Sequence, residues 1–215
     1  STGMRREKVA EALVRFLRSR YGEPRHRWRE DPFRVLISCV LSQRTREENT
    51  ERASRALFAV ASTPEEILRL PEERIAELIR PVGFPRQKAR NIRRICEILI
   101  ERYGGKVPAN KEELKQLPGV GEKTANVTLC YGFGVPCIPV DTHVNRVSRR
   151  LGLVSWDAKI EEVEPELRKL IRREDWRLVN LGLVRFGREI CRPVGPRCEI
   201  CPLARVCPSA RGKGR

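Results

Sequence analysis

Four cysteines near the C-terminus have the residue type and the spacing expected of a metal-binding loop. They form the pattern Cys-x6-Cys-x2-Cys-x5-Cys, at Cys191, Cys198, Cys201 and Cys207. The residues between them include several prolines and little apolar material, so we expect a bound metal centre to hold this segment together. Two centres remain open at this point, structural zinc and a [4Fe-4S] cluster, because four thiolates can ligate either of them.

A glycine-containing turn, Leu117-Pro118-Gly119-Val120-Gly121, lies between two segments of helical pattern. Two glycines one residue apart permit positive φ and leave no Cβ between the backbone and a ligand. Several backbone N–H groups would then point outward at the start of the next helix, an arrangement that binds phosphate without reading the base sequence. The residues alone also allow an ordinary corner between two helices, in which glycine serves only to turn the chain.

Lys123 follows this turn, in the first turn of the next predicted helix, where the helix dipole disfavours a cation. Partial burial would add to that effect. Only a neutral amine attacks carbon, so a lysine in this position is a candidate nucleophile. The alternative is a solvated surface lysine, which is the commoner situation for this residue type.

Asp141 stands directly before Thr142-His143-Val144, where a helix is predicted to begin. Its simplest role is that of a helix N-cap. The same carboxylate could present its second oxygen to a ligand, so capping and catalysis are compatible. For His143 we predict a hydrogen-bonded structural role.

Three motifs together resemble the endonuclease III family of DNA glycosylases. Residues 117–121 with Glu122-Lys123-Thr124-Ala125-Asn126 are similar to its helix–hairpin–helix. The segment Val140-Asp141-Thr142-His143-Val144-Asn145-Arg146 is similar to the loop that carries its catalytic aspartate, and the four cysteines resemble its iron–sulfur loop. The motifs occur in the family's order, and the similarity extends from about Asp31 to Cys207.

The resemblance implies a role for each motif. Lys123 takes the position of the Schiff-base lysine of bifunctional members, and Asp141 that of the carboxylate that stabilises positive charge on the sugar. Gly119, Val120 and Gly121 become the phosphate-binding turn, and the cofactor becomes a [4Fe-4S] cluster. The implied reaction removes oxidised pyrimidines in base excision repair and then cleaves the strand by β-elimination, after the damaged nucleotide is flipped out of the duplex.

Two further residues resemble side chains that fill the gap left by an extruded base. Gln43, in Leu41-Ser42-Gln43-Arg44-Thr45, resembles the family's intercalating glutamine, although its spacing from the preceding serine is one residue shorter. Phe84, in Val82-Gly83-Phe84-Pro85, stands where the family commonly has an aliphatic wedge residue. The alternative for Phe84 is a place in the core.

Composition agrees with a nucleic-acid partner. The 215 residues include 44 Lys and Arg against 28 Asp and Glu, a net charge of +16 that favours a polyanion. No apolar run is long enough to span a membrane, and no secretory segment opens the sequence, so we expect an intracellular protein, cytoplasmic or at the nucleoid of a prokaryote. One methionine and few amide residues suggest a thermophile.

The elements that must position these residues are predicted to be helical nearly throughout. Asp31-Pro32, Thr63-Pro64 and Asn110 are predicted to begin helices, and the apolar stretch 135–140 is interrupted by two prolines, which disfavours a strand. The four cysteines outside the C-terminal loop are interpreted as core packing. The sequence therefore predicts an all-α protein.

The family fold implies two lobes. Residues 25–135 would form a six-helix lobe with the hairpin, and residues 1–24 would join 136–215 in the cluster lobe, with the active site in the cleft. The expected protein is a monomer that binds double-stranded DNA containing damaged bases or abasic sites. The alternatives are a mismatch uracil or thymine glycosylase of the same fold and a non-catalytic helix–hairpin–helix DNA-binding module.

Overall fold

A computed structural model describes residues 2–23 and 30–211 of the chain. Within these ranges the regular structure is entirely helical and contains no strand, which confirms the predicted all-α class. The chain divides into two compact units. We call His26–Val135 the hairpin unit, and Ser1–Arg25 together with Pro136–Arg215 the cysteine unit.

The described part of the hairpin unit has seven α-helices, two of them only five residues long. They are α2 (Pro32–Ser42), α3 (Glu47–Val60), α4 (Pro64–Leu68), α5 (Glu72–Leu78), α6 (Pro85–Tyr103), α7 (Lys111–Lys115) and α8 (Glu122–Val127), and a π-helical turn, Thr128–Gly132, continues α8. Their apolar faces meet in one core, in which Leu36, Ile37, Leu57, Ile92 and Leu114 are fully buried.

The predicted helix starts of this unit are confirmed by their caps. The carboxylate of Asp31 accepts from the N–H of Phe33, the Thr63 hydroxyl accepts from Glu66, and the Asn110 side chain accepts from Glu113. The sequence analysis did not predict α3 or α5. Neither helix has a side-chain N-cap hydrogen bond, so the strongest local start signal is missing there.

The cysteine unit is built on four α-helices in its described part. They are α1 (Thr2–Tyr21), α9 (Thr142–Arg150), α10 (Ile160–Leu170) and α11 (Trp176–Glu189), with short 3-10 turns at Arg173–Asp175 and Cys198–Ile200. Helices α1 and α11 pack closely at Gly182, where a Cβ would lie only 2.8 Å from a methyl of Leu17. The rings of Phe16 and Phe186 meet edge to face at 5.3 Å in the same core.

The four scattered cysteines do not share one state. Cys39 and Cys96 are free thiols, and Cys96 is fully buried in the hairpin-unit core, as predicted. Cys130 and Cys137 are also buried, but both are disulfide-bonded. Their interpretation as plain core packing was therefore wrong.

No helix in the described ranges combines the length and the apolar character needed to cross a lipid bilayer.

Candidate functional site

The predicted phosphate-binding turn lies in the hairpin unit between α7 and α8. Gly119 has a φ of +77°, which favours glycine, and a Cβ there would also lie 3.0 Å from the Asn91 amide nitrogen. Gly121 has ordinary extended backbone and open space where a Cβ would be. The first glycine is thus required by the turn, whereas the second keeps the surface above α8 clear.

This turn leaves backbone donors free. Among the described residues, the N–H groups of Gly119, Gly121, Glu122 and Lys123 donate to no other group, whereas the N–H of Val120 bonds to the carbonyl of Leu117 at 3.1 Å. The side chain of Val120 is buried beneath the turn. The N–H groups that are open to a phosphate are therefore those that flank Val120, not that of Val120 itself.

The carboxylate of Glu122 on this surface is offset by two lysines. Glu122, the first residue of α8, pairs with Lys111 and, at 2.9 Å, with Lys115, both from α7. Hydrogen bonding to these lysines lowers the pKa of Glu122. The hairpin surface therefore stays attractive to an anion in spite of its acidic residue.

Gln43 is held against the hairpin. It ends α2, and its Nε2 donates to the carbonyl of Gly119 at 2.8 Å and to Oγ1 of Thr124 at 3.4 Å. The structure thus brings together a predicted wedge residue and the predicted phosphate-binding turn. To enter a DNA duplex, the side chain must exchange these two bonds for bonds to bases.

Phe84 is exposed, so the alternative of a core position is wrong. Its side chain is 55% exposed, and its backbone is left-handed with a φ of +54°. Arg44 of the Gln43 loop also has positive φ, and its guanidinium lies over the Phe84 ring at 5.6 Å. An exposed aromatic ring with a cation on its face is suited to stacking on a base.

Lys123 is the second residue of α8, and its side chain is exposed. The partial burial considered for it is therefore wrong. Its side-chain amine forms no hydrogen bond or ion pair with any other described residue. Beside it lies Cys39, whose pKa is raised to about 11 by burial, while the charge of Lys123 opposes that shift. Cys39 is thus a neutral thiol near neutral pH.

Asp141 belongs to the cysteine unit, where it caps α9. Its Oδ1 accepts from the N–H of Val144 at 2.8 Å, so the predicted N-cap is confirmed. The residue is exposed, and its Oδ2 has no hydrogen-bond partner among the described residues. One carboxylate oxygen fixes the residue to the helix, and the other is available to a ligand.

Two arginines of α9 donate hydrogen bonds to α11 and to the loop that carries the first C-terminal cysteine. Arg146 donates to the carbonyls of Gly187 and Cys191 at 2.9 and 3.0 Å, and its guanidinium also contacts Nδ1 of His143. His143 is therefore hydrogen-bonded, as predicted. Arg150 donates to the Cys191 sulfur at 3.4 Å and to the carbonyl of Arg192 at 2.8 Å.

The four C-terminal cysteines are reduced, with no disulfide among them, and they line one cavity of about 220 Å³. Leu203, between the third and fourth of them, is buried in the core of the cysteine unit and anchors the loop. Burial raises the pKa of the Cys201 thiol. Within the described ranges, no three acidic, histidine or cysteine side chains are placed to hold a single metal ion.

Sequence reasoning missed Lys88. This lysine of α6 is only 5% exposed and donates to the carbonyl of Leu41 and the hydroxyl of Thr45. A signal was present, because Lys88 stands four residues before Ile92, on the helix face that also carries Ile95 and Leu99. A charged residue on such an apolar stripe indicates a buried polar interaction.

Comparison with protein families gives one match that spans most of the chain. Residues 37–173 match the model of the HhH-GPD superfamily base excision DNA repair protein. That range includes the hairpin, Lys123 and Asp141, and it ends before the four cysteines.

Individual relatives match over nearly the whole chain. Endonuclease III of Thermotoga maritima is 49% identical over 207 residues, which are 96% of each protein. Endonuclease III of Bacillus subtilis is 42% identical over 82% of this chain and 81% of its own. A solved structure of a trapped endonuclease III–DNA covalent intermediate, an estranged-adenine complex, has 37% identity and a TM-score of 0.79, covering 97% of this chain and 99% of that one.

Proposed function

The chain belongs to the endonuclease III family, within the HhH-GPD superfamily of base excision DNA repair proteins, and we propose that it removes oxidised pyrimidines from double-stranded DNA. It is a DNA glycosylase and abasic-site lyase of that repair pathway. The observation that carries the proposal is the hairpin of free N–H groups, which is followed directly by the exposed amine of Lys123.

DNA binding begins at the hairpin. The N–H groups of Gly119, Gly121 and Glu122 donate to a backbone phosphate, and the dipole of α8 adds a favourable field. These contacts carry no base information, so they position the protein on any duplex. Arg44 and the lysines of α7 add positive charge to the same unit.

Lys123 then performs the chemistry. Its Nζ attacks C1′ of the extruded nucleotide, and the glycosidic bond breaks with its electron pair leaving on the base. The resulting amine is converted to a Schiff base as the sugar ring opens. Loss of a proton from C2′ then breaks the bond between C3′ and its oxygen, so that one lysine serves both base removal and strand cleavage.

Asp141 supplies negative charge. Its Oδ2 stabilises the positive charge that develops on the sugar as the base departs, and it can accept a proton in the later steps. The hydrogen bond from Val144 to its other oxygen fixes the orientation of the carboxylate.

Gln43 and Phe84 keep the duplex open. The Gln43 amide bonds to the base opposite the lesion, and the Phe84 ring stacks on that base or its neighbour. Both side chains lie in the hairpin unit, as does Lys123.

Borohydride trapping tests this function. The substrates are duplexes that carry thymine glycol or a preformed abasic site, and the proteins are the wild type, Lys123→Ala and the exposed-lysine control Lys106→Ala. We expect a covalent protein–DNA band for the wild type and Lys106→Ala, and none for Lys123→Ala. Base release without a band would show a monofunctional enzyme and contradict the role of Lys123. If only an abasic site is processed, the lesion class is wrong.

We propose a [4Fe-4S] cluster as the cofactor, ligated by the four C-terminal cysteines. The support is chemical: four reduced cysteines border one cavity whose volume exceeds that of a single ion several-fold, and thiolates are the usual ligands of such clusters. When bound, the cluster supplies a rigid crosslink for a loop with little apolar material. The loop, α9 and Asp141 then form one rigid part.

Iron, sulfide and zinc assays on purified protein test the cofactor. We expect iron and sulfide in a 1:1 ratio and visible absorbance in the wild type. Cys198→Ser should lose both, and Cys39→Ser, a free cysteine outside the loop, should retain both. Zinc at one equivalent without sulfide would contradict the proposal.

We further propose that the hairpin unit and the cysteine unit correspond to the two lobes of the family, and that the protein acts as a monomer inside a prokaryotic cell. Bacterial relatives that match over 96% and 82% of this chain support the setting.

A further inference from the structure

Lys88 buries a charge inside the hairpin unit. Its side chain is 5% exposed, and such burial is unfavourable unless the charge is fully hydrogen-bonded. An ammonium group has three donors, and all three have partners. They are the carbonyl of Leu41 at 3.1 Å, the carbonyl of Gln43, and Oγ1 of Thr45 at 3.0 Å.

The first two partners belong to the C-terminal end of α2. Carbonyl groups there have no partner within the helix, and the helix dipole favours a cation at that end. Lys88 therefore fixes the position at which α2 stops and the loop of Gln43 begins.

Thr45 connects this contact to the second loop. Its hydroxyl donates to the carbonyl of Gln43 at 3.1 Å and accepts from Lys88 and from the N–H of Gly83, the latter at 2.9 Å. Its one donor and two acceptor sites are thus all used. Gly83 precedes Phe84, so one polar cluster holds the residues next to both proposed wedge side chains.

The two loops meet at an unusually close and strained point. A Cβ on Gly83 would lie 2.9 Å from the carbonyl oxygen of Arg44. Arg44 and Phe84 are also the two non-glycine residues with positive φ in the described ranges. Such backbone conformations persist only where surrounding contacts enforce them, and the Lys88–Thr45 cluster provides those contacts.

We propose that Lys88 is a positioning residue for lesion recognition, which holds the Gln43 and Phe84 loops together so that both side chains enter the duplex as one wedge. The inference rests on the proposed function of these two side chains. An apolar residue in place of Lys88 would remove the ammonium bond to the Leu41 carbonyl and leave the Gln43 carbonyl with the Thr45 hydroxyl alone, and the two loops would separate.

Two variants of the cluster and one control test this role. Lys88→Met keeps a long side chain and removes the ammonium group. Thr45→Val removes the hydroxyl at similar size, and Thr45→Ser restores it. The control is Arg93→Met on the same helix, because Arg93 also donates to main-chain carbonyls, those of Leu68 at the end of α4 and of Leu70, away from the two wedge loops.

The readout compares a substrate that needs a wedge with one that does not. Duplex DNA with thymine glycol must be opened, whereas single-stranded DNA with an abasic site offers its C1′ without base extrusion. We expect Lys88→Met and Thr45→Val to slow excision from the duplex by about tenfold or more, and to leave cleavage of the single strand unchanged. Thr45→Ser should recover most of the duplex rate. Arg93→Met should leave the ratio of duplex excision to single-strand cleavage unchanged.

A binding signal separates this inference from the proposed reaction. Fluorescence of 2-aminopurine opposite the abasic analogue tetrahydrofuran reports a change in stacking on saturating binding, without chemistry. Lys88→Met or Thr45→Val should lose most of the wild-type change, even if the wild type proves inactive on every lesion. Equal fluorescence changes in all variants, or equal losses on duplex and single strand, would overturn the positioning role. If Lys88→Met does not fold, Thr45→Val decides.

Discussion

The guanidinium of Arg44 lies 5.6 Å from the centre of the Phe84 ring, and both residues have left-handed backbone. The pair presents an exposed aromatic face backed by a cation. Because Phe84 is 55% exposed, its ring surface is accessible for stacking on a base.

Replacing Phe84 by leucine should change the opposite-base preference of excision. Stacking of a base on an aromatic side chain contributes about 1–3 kcal/mol, and purines offer the larger ring surface. Excision of one lesion should therefore slow most opposite adenine and guanine. The measurement is the excision rate opposite each of the four bases. Phe58→Leu is the control, since Phe58 also lies beneath an arginine, Arg34. Identical profiles for wild type and Phe84→Leu would disprove the role.

Substitutions of Asp141 should separate capping from catalysis. Asp141→Asn keeps a good N-cap but removes the charge, so we expect little change in the free energy of unfolding and a loss of about 10²-fold in the excision rate. Asp141→Ala should show the same loss in excision rate and should also lower the free energy of unfolding by about 1 kcal/mol. Urea unfolding and single-turnover kinetics measure the two effects. The control is Asp31→Asn, at another helix N-cap, and the assignment fails if Asp141→Asn retains full activity.

The two hairpin glycines should differ in what their replacement affects. Gly119→Ala forces a left-handed alanine towards Asn91 and should cost about 1–2 kcal/mol of stability. Gly121→Ala meets no atom within 4 Å and should preserve stability. Both should weaken binding to undamaged duplex, because a methyl group at either position limits the approach of a phosphate.

Thermal unfolding and fluorescence anisotropy distinguish these outcomes. Gly104→Ala is the matched control for backbone strain, since Gly104 has a φ of +62° at the end of α6, outside the hairpin. It should lose stability and keep DNA affinity. Undiminished affinity in Gly121→Ala would argue against phosphate binding at the turn.

Cys39 should make stability depend on pH in the alkaline range. Its pKa is raised from the ordinary value of 9.0 to about 11 by burial, so between these values the folded thiol keeps a proton that the unfolded chain releases. The contribution of the protonated Cys39 thiol to the free energy of unfolding is fully present below pH 9.0 and is lost as the pH rises through 11. The difference in unfolding free energy between wild type and Cys39→Ala should therefore shrink over this range. The difference for Ser38→Ala should stay constant, and a constant difference for Cys39→Ala would contradict the shift.

Local chemistry made several features predictable from sequence. Asp31, Thr63, Asn110 and Asp141 all cap the helices expected of them, because an N-cap acts on N–H groups two or three residues away. The positive φ of Gly119 is likewise a local property, because glycine lacks a Cβ and can adopt it. The spacing of the C-terminal cysteines likewise confines them to one short loop, and the structure brings their thiols to one cavity.

Tertiary structure decided the features that depend on residues far apart in the sequence. The packing of the helices decides whether Phe84 lies in the core or at the surface. It also brings Gln43 to a turn 76 residues away, to which its side chain bonds. The burial of Lys88 depends on the end of α2 lying against α6. A sequence pattern records which residues can cap, turn or ligate, because those properties are local. It does not record which distant carbonyl will lack a hydrogen-bond donor once the helices meet. Lys88 is buried because the carbonyls at the end of α2 need such a donor.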